Sequence, residues 1–364
     1  MKIAILAPLT RPTHPDTRGG RSRVVYDLVV NLKKRGHDIT VYGPGDCKVP
    51  TKLVKVIENS IYNSPPSENT FYQQTIAITE LAEKIRQDSD QYDVIHNHVL
   101  PEFLPLLISR EIKTPIVTTP HLYLWPALID IFKKFSNTYF VAISDHQRKK
   151  GEGINFIDRI YNGIEITEFE FNAKPKDYFL FFGRMKKFKD ENGREIEPKG
   201  VLDAIKVCQR ANVKLYIAGN IEDKDFYEEE IHPKLSNKIQ FIGPINKVGP
   251  IGFKEKVELY RNAKGYIFLS HWDEACPLSP IEAMACGTPV ITNRRSSLPE
   301  LVRDRQTGFV VEENDLDAAV SAVKEIETIN RQDCREWVEK KFTADQMAKN
   351  YEKVYKKIID SKKS

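Results

Sequence analysis

Lys2-Ile3-Ala4-Ile5-Leu6-Ala7, then the Pro/Thr/Gly-containing loop Pro8 to Gly20, then a segment with Val25, Leu28, Val29 and Leu32, and finally His37-Asp38-Ile39-Thr40-Val41-Tyr42: this stretch decides the fold. Its first six residues are a short apolar run closed by loop residues, the pattern of a strand buried on both faces. Val25, Leu28, Val29 and Leu32 recur at i, i+3, i+4 and i+7, which is one face of a helix. That helix stops near Gly36, and residues 37–42 begin a second strand. Strand, helix and strand in succession make a βαβ unit, which requires a parallel sheet.

The alternation continues outward. Ile78, Leu81, Ala82 and Ile85 form another helical stripe. Val94-Ile95, Pro115 to Thr119 and Tyr139 to Ile143 read as strands, while residues 46–72 lack periodicity and read as an irregular insertion. Asn162-Gly163 and the polar run Glu168 to Asp177 mark a boundary, after which the pattern restarts. Tyr178 to Phe182, Lys214 to Ala218, Ile239 to Ile242, Gly265 to Leu269 and Pro289 to Thr292 are strands spaced by helix-length sequence. Val201, Leu202, Ile205 and Cys208 supply one of those helices. A last amphipathic helix over about 345–359 carries Met347, Tyr351, Val354, Tyr355 and Ile358.

The chain has 364 residues, too many for one ordinary core, so two α/β halves are expected. A formal charge of +4 is too weak to indicate nucleic-acid binding; it suits a mixed solvated surface and is compatible with contact at an anionic membrane. Five cysteines, with no pair at CxxC spacing, argue against a disulfide framework or a zinc site and fit a reducing cytoplasm. Strand residues follow Met1 directly, so no signal peptide is expected. No apolar run approaches the length of a membrane span.

Open α/β sheets bind ligands beyond the carboxyl ends of their strands. Gly183-Arg184 follows the first strand of the second half, and Lys199-Gly200 opens the next helix. Two cations beside a helix N-terminus make an anion site suited to a diphosphate, although each cation alone is equally readable as surface charge. After the strand ending at Leu269, Glu274 lies in a loop and Glu282 in the first turn of a helix read as starting near Pro280 and stopping at Gly287. Both carboxylates can accept hydrogen bonds from sugar or ribose hydroxyls. In the first half, Gly19-Gly20 precede a helix and let main-chain amides approach a ligand. No G-x-G-x-x-G follows the first strand, which argues against a dehydrogenase. His96, His98 and His121 follow strands, but without the helical spacing of a metal site.

Glu274-x7-Glu282 followed by Ala283-Met284-Ala285-Cys286-Gly287-Thr288-Pro289-Val290-Ile291 resembles the signature of retaining GT-B glycosyltransferases of family 4, the glycosyl transferases group 1. The resemblance runs over nearly the whole chain. It includes Gly19-Gly20, Arg35 to Val41, Asp93 to His98, Thr119-Pro120-His121, Ala142-Ile143-Ser144, Tyr161 to Ile164, Gly183-Arg184 with Lys199-Gly200, Ala218-Gly219, Leu298-Pro299-Glu300 and Thr307-Gly308-Phe309.

It implies a GT-B fold: two Rossmann-like domains facing across a cleft, with a C-terminal helix crossing back. The expected parts are an acceptor domain over 1–168, a nucleotide-sugar domain over 169–342 and the returning helix over 343–364. It also implies roles. Arg184 and Lys199 hold the donor diphosphate, Glu274 contacts the transferred sugar, and His121 sits near the reacting carbon. Glu282 binds the ribose. Gly19, Gly20, Gly183, Leu278 and Ser279 complete the donor site, with no metal and no cofactor. Three departures from the family pattern stand out. The Arg–Lys gap is long, which makes Lys189 an alternative to Lys199; Pro277-Leu278 replaces Gly-Leu; and Ser296-Ser297 replaces Gly-Gly. The expected activity is a retaining, metal-independent transfer of a hexose from a UDP-, GDP- or ADP-linked donor. Its acceptor is an unidentified glycan, lipid or small molecule, and its setting cytoplasmic or peripheral at the inner membrane face. The rival readings are a GT-B epimerase or phosphorylase, and an inactive nucleotide-sugar-binding protein.

Overall fold

β1 (Lys2–Leu6) is buried from Ile3 onward and runs parallel to β2 (Asp38–Pro44), with Lys2 opposite Asp38 and Leu6 opposite Tyr42. A helix (Gly20–Lys34) joins them and buries Val24, Val25, Leu28, Val29 and Leu32. β3 (Lys52–Ile57), β4 (Val94–Asn97), β5 (Ile116–Thr118), β6 (Tyr139–Ala142) and β7 (Phe156–Arg159) complete a seven-stranded parallel sheet, ordered β3-β2-β1-β4-β5-β6-β7. The order reverses between β1 and β4, so the crevice of this sheet opens beyond their carboxyl ends. The computed structural model describes residues 1–17, 19–65, 67–189, 193–243 and 252–361.

The chain divides into two compact units, residues 1–165 with 342–364, and residues 166–341. In the first, Ala77, Ile78, Leu81 and Ile85 of the helix Thr70–Asp88 pack with Ile95, Ile116 and Phe140 from the sheet. The terminal helix (Ala344–Ser361) buries Met347, Tyr351, Val354, Tyr355 and Ile358 and packs on the helix Gly20–Lys34. Main-chain bonds from Ile164 N to Phe342 O and from Ala344 N to Ile164 O fix its return. Arg35 binds Glu352 at 2.7 Å across the same contact.

In the second unit, β8 (Phe179–Phe182) leads through a hairpin of β9 (Phe188–Lys189) and β10 (Glu195–Ile196) to a helix (Val201–Ala211). β11 (Leu215–Ala218), β12 (Ile239–Phe241), β13 (Gly265–Phe268), β14 (Val290–Asn293) and β15 (Gly308–Val311) follow. β8 and β11–β15 form a six-stranded parallel sheet ordered β12-β11-β8-β13-β14-β15. Here the order reverses between β8 and β13. The terminal portion of this unit is helical, with Leu316–Glu325 and Arg331–Lys341.

Three local expectations are corrected. Residues 46–72 are not wholly irregular, because β3 lies within them. It is a half-exposed edge strand whose pairing slips at Gly43/Pro44, so its alternation is blurred. The helix expected from Pro280 begins at Leu278, with Pro277 as its N-cap. Proline is tolerated at the third helical position because the first-turn N–H groups have no intrahelical partner. Glu282 is therefore in the second turn rather than the first. The charged stretch Met185 to Pro198, whose composition alone reads as a surface excursion, is anchored at both ends: Met185 is fully buried and Glu197 accepts from Val201 N at the start of the next helix.

Candidate active site

The switch point of the second sheet gathers the residues after β8 and β13. Gly183 directly follows β8, and a Cβ placed on it would stand 3.4 Å from Lys199 Cβ, so this strand end abuts the start of the next helix. Glu197 organises that start. Its carboxylate accepts from Lys199 N and Val201 N, each at 2.7 Å, and burial pushes its pKa up against those two bonds. Gly200, at φ +81, lets the turn pass beneath Leu269. The loop after β13 is tied to the same turn: Ser270 Oγ donates to Pro198 O at 2.8 Å and His271 N to Pro198 O at 3.1 Å.

Glu274 is thereby brought to Lys199, with Nζ and Oε1 2.5 Å apart. The two side chains are 19% and 11% exposed, so both charges remain reachable from solvent. Two serines hold the Glu274 peptide. Its N–H donates to Ser296 Oγ at 2.9 Å, and its carbonyl accepts from Ser297 Oγ at 2.7 Å. Arg184 is half-exposed and meets Glu222 at 3.5 Å, leaving its guanidinium free to turn. Glu282 is buried and receives Lys256 Nζ at 2.6 Å. Leu278 and Ser279 form the first turn of the helix after Glu274; this N-terminus has no side-chain cap and no acidic residue in its first turn. Backbone N–H groups left open there favour an anion.

The first unit has its own polar cluster at the β1/β4 switch point. Gly19 is the N-cap of the helix Gly20–Lys34 and Gly20 its exposed first residue. Arg21 follows and reaches Glu102 at 3.5 Å; burial raises the Glu102 pKa despite that cation. His121 Nε2 lies 2.9 Å from His98 Nδ1, and His98 Nε2 lies 3.2 Å from His96 Nδ1. His96 also meets Tyr355 OH at 2.6 Å and Thr119 Oγ1 at 2.8 Å. Burial holds His96 and His121 well below the usual imidazole value and His98 at about 3, so all three rings are neutral near pH 7. Among the described residues no group of three or more His, Cys, Asp or Glu is arranged to hold a metal ion. All five cysteines are buried and unpaired with one another. No helix among the described residues is long and apolar enough to cross a membrane.

Arg184, Lys199, Glu274, Glu282, Gly183, Leu278 and Ser279 thus all belong to the second unit, while Gly19, Gly20 and His121 belong to the first. Lys189, the alternative cation, sits exposed on β9. Sequence reasoning missed Lys256, Glu197, Arg21, Glu102 and the Asp203–His271 pair. Only Glu197 carried a signal, an acidic residue placed just ahead of a helix.

Residues 165–343 match the family described as Glycosyl transferases group 1, and residues 18–168 match Glycosyltransferase Family 4. The chain is 23% identical to the O-antigen chain mannosyltransferase C of Escherichia coli, over 96% of this chain and 97% of that protein. It also resembles solved structures. Sucrose-phosphate synthase from Thermosynechococcus elongatus superposes with a TM-score of 0.74 at 17% identity, over 99% of this chain and 100% of that one. The Anabaena protein HepE, solved with UDP and glucose, gives 0.70 at 16% identity, over 98% and 100%. Two parallel sheets of this kind define the GT-B class. The chain belongs to the group 1, family 4 glycosyltransferases and is a transferase enzyme.

Proposed function

We propose that the protein is a retaining, metal-independent hexosyltransferase that takes its sugar from a UDP-, GDP- or ADP-linked donor. The observation that carries this reading is the Lys199–Glu274 pair at the switch point of the second sheet, beside Arg184 and an uncapped helix N-terminus. In the reaction the bond from the anomeric carbon to the diphosphate breaks, and its electron pair stays on the phosphate oxygen. Lys199 and Arg184 stabilise that charge, which is the work a metal ion does elsewhere. The acceptor oxygen bonds the same face of the anomeric carbon, and its proton passes to the departing diphosphate. Glu274 orients the hexose through its hydroxyls, and Glu282 holds the ribose. The first unit is the acceptor domain, supplying His121 to the sugar and Gly19 and Gly20 to the phosphate; the second is the donor domain. The acceptor is a glycan, a lipid or a small molecule, and HepE with UDP and glucose and the E. coli mannosyltransferase support a nucleotide-linked hexose.

A thermal-shift screen of nucleotide-sugars tests the reading, since a ligand bound only by the folded state raises the midpoint. One donor should stand out, and Arg184→Ala should lower kcat by about 100-fold or more with that donor. Near-normal turnover in the variant removes Arg184 from the mechanism. Pro277, which lacks an N–H where the family pattern has glycine, favours one second reading, an inactive binding protein. Stabilisation by a donor without turnover across an acceptor panel would establish that reading instead.

A further inference from the structure

The chain Tyr355–His96–His98–His121 runs from the terminal helix to the switch point of the first sheet, through contacts of 2.6, 3.2 and 2.9 Å. We propose that Tyr355, His96 and His98 are positioning residues that fix His121 in its Nε2-protonated form, so that His121 Nδ1 meets a sugar hydroxyl as a hydrogen-bond acceptor. The proposal rests on the reading above that His121 touches the transferred sugar.

The rings are neutral, so each carries one proton and its place is set by neighbours. His96 Nδ1 faces two groups at once, Tyr355 OH and His98 Nε2. Tyr355 is fully buried, and among the described residues its hydroxyl meets no other acceptor. Were His96 Nδ1 protonated, the Tyr355 proton would be stranded, which is the costlier arrangement. With Nδ1 bare, Tyr355 O–H donates to it and His96 Nε2–H donates to Thr119 Oγ1, which in turn reaches Tyr351 OH at 2.9 Å. His98 Nε2 must then also carry its proton, because two bare nitrogens 3.2 Å apart repel. His98 Nδ1 is left bare, and His121 Nε2, 2.9 Å away, must donate to it. His121 Nδ1 has no partner among the described residues and the residue is not fully buried, so this lone pair is available to a ligand.

The tautomers can be read directly from long-range nitrogen–proton correlation spectra of the full chain labelled with 15N-histidine, with His121→Gln assigning the signal. The expected result near neutral pH is a neutral His121 protonated on Nε2; an Nδ1-protonated or charged ring overturns the proposal. Tyr355→Phe removes the donor at the head of the chain. It should bring up an Nδ1-protonated population of His121 and lower kcat about five-fold, with donor KM within about two-fold. Unchanged His121 signals in that variant overturn the relay. Wild-type protein with the expected tautomer but no transfer of sugar overturns the functional reading and leaves the relay standing.

Discussion

A Cβ on Gly200 would stand 2.1 Å from the carbonyl oxygen of Leu269. The residue also has φ +81, where side chains are strained, so two independent penalties fall on one position. Gly200→Ala should cost about 2–4 kcal/mol of unfolding free energy in denaturant titration. The displaced turn carries Lys199, so donor-induced stabilisation should be lost as well. A variant as stable as the parent would mean that the backbone can reroute here without cost.

Lys199 and Glu274 form an ion pair, and in the proposed reaction a diphosphate competes with Glu274 for the ammonium. Lys199→Ala should lower kcat/KM about 100-fold or more, while stability falls by only about 1 kcal/mol because both groups retain contact with water. Initial rates and thermal midpoints on the same preparations separate the two effects.

Ser296 has φ 48 and accepts the Glu274 N–H. Ser296→Gly relieves about 1 kcal/mol of left-handed strain and forfeits a hydrogen bond of about the same worth. Calorimetry should therefore show a stability change below about 1 kcal/mol. Turnover should still drop on the order of ten-fold, since the Glu274 peptide keeps its bond from Ser297 Oγ but loses the anchor on its N–H.

His271 Nε2 lies 2.9 Å from Asp203 Oδ2. The Asp203 hydrogen bond raises the His271 pKa above 6.5, against burial. Burial pushes Asp203 up, but its bonds from His271 and Lys206 outweigh this and leave it below 3.8. A raised histidine stabilises fully below 6.5 and loses that contribution as pH climbs through the folded-state value. The depressed aspartate stabilises above 3.8 and loses its part as pH falls through its own folded value. The gap in unfolding free energy between wild type and His271→Gln should thus be widest between about pH 4 and 6.5 and narrow as pH rises above 6.5, with a maximum of about 1 kcal/mol. A gap independent of pH would show that the pair does not change charge there.

The parallel alternation was legible because central strands such as Lys2–Leu6 and Gly265–Phe268 are continuous apolar runs closed by loop residues. β3 and β7 escaped because both are half-exposed edge strands: Lys52–Ile57 interleaves lysines with aliphatics, and Phe156–Arg159 ends in charge. The cations and carboxylates after β8 and β13 could be located by the rule that strand ends bind ligands. Their partners could not. Lys256 meets Glu282 from a helix 26 residues earlier, and Tyr355 meets His96 across 259 residues, separations that no local pattern encodes. Ser296 and Ser297 were visible as a departure from the family pattern, but their grip on Glu274 is a matter of three-dimensional path.

The first unit is closed by residues 342–361, although its sheet ends with β7 near residue 159. On the ribosome, therefore, the second unit can finish before the first has received its last helix. Until Tyr351 and Tyr355 emerge, the apolar face of Gly20–Lys34 and the polar edge of His96 stay uncovered, and a message truncated ahead of codon 342 would yield a protein with Arg184 and Lys199 in a finished second unit and a first unit lacking its last helix.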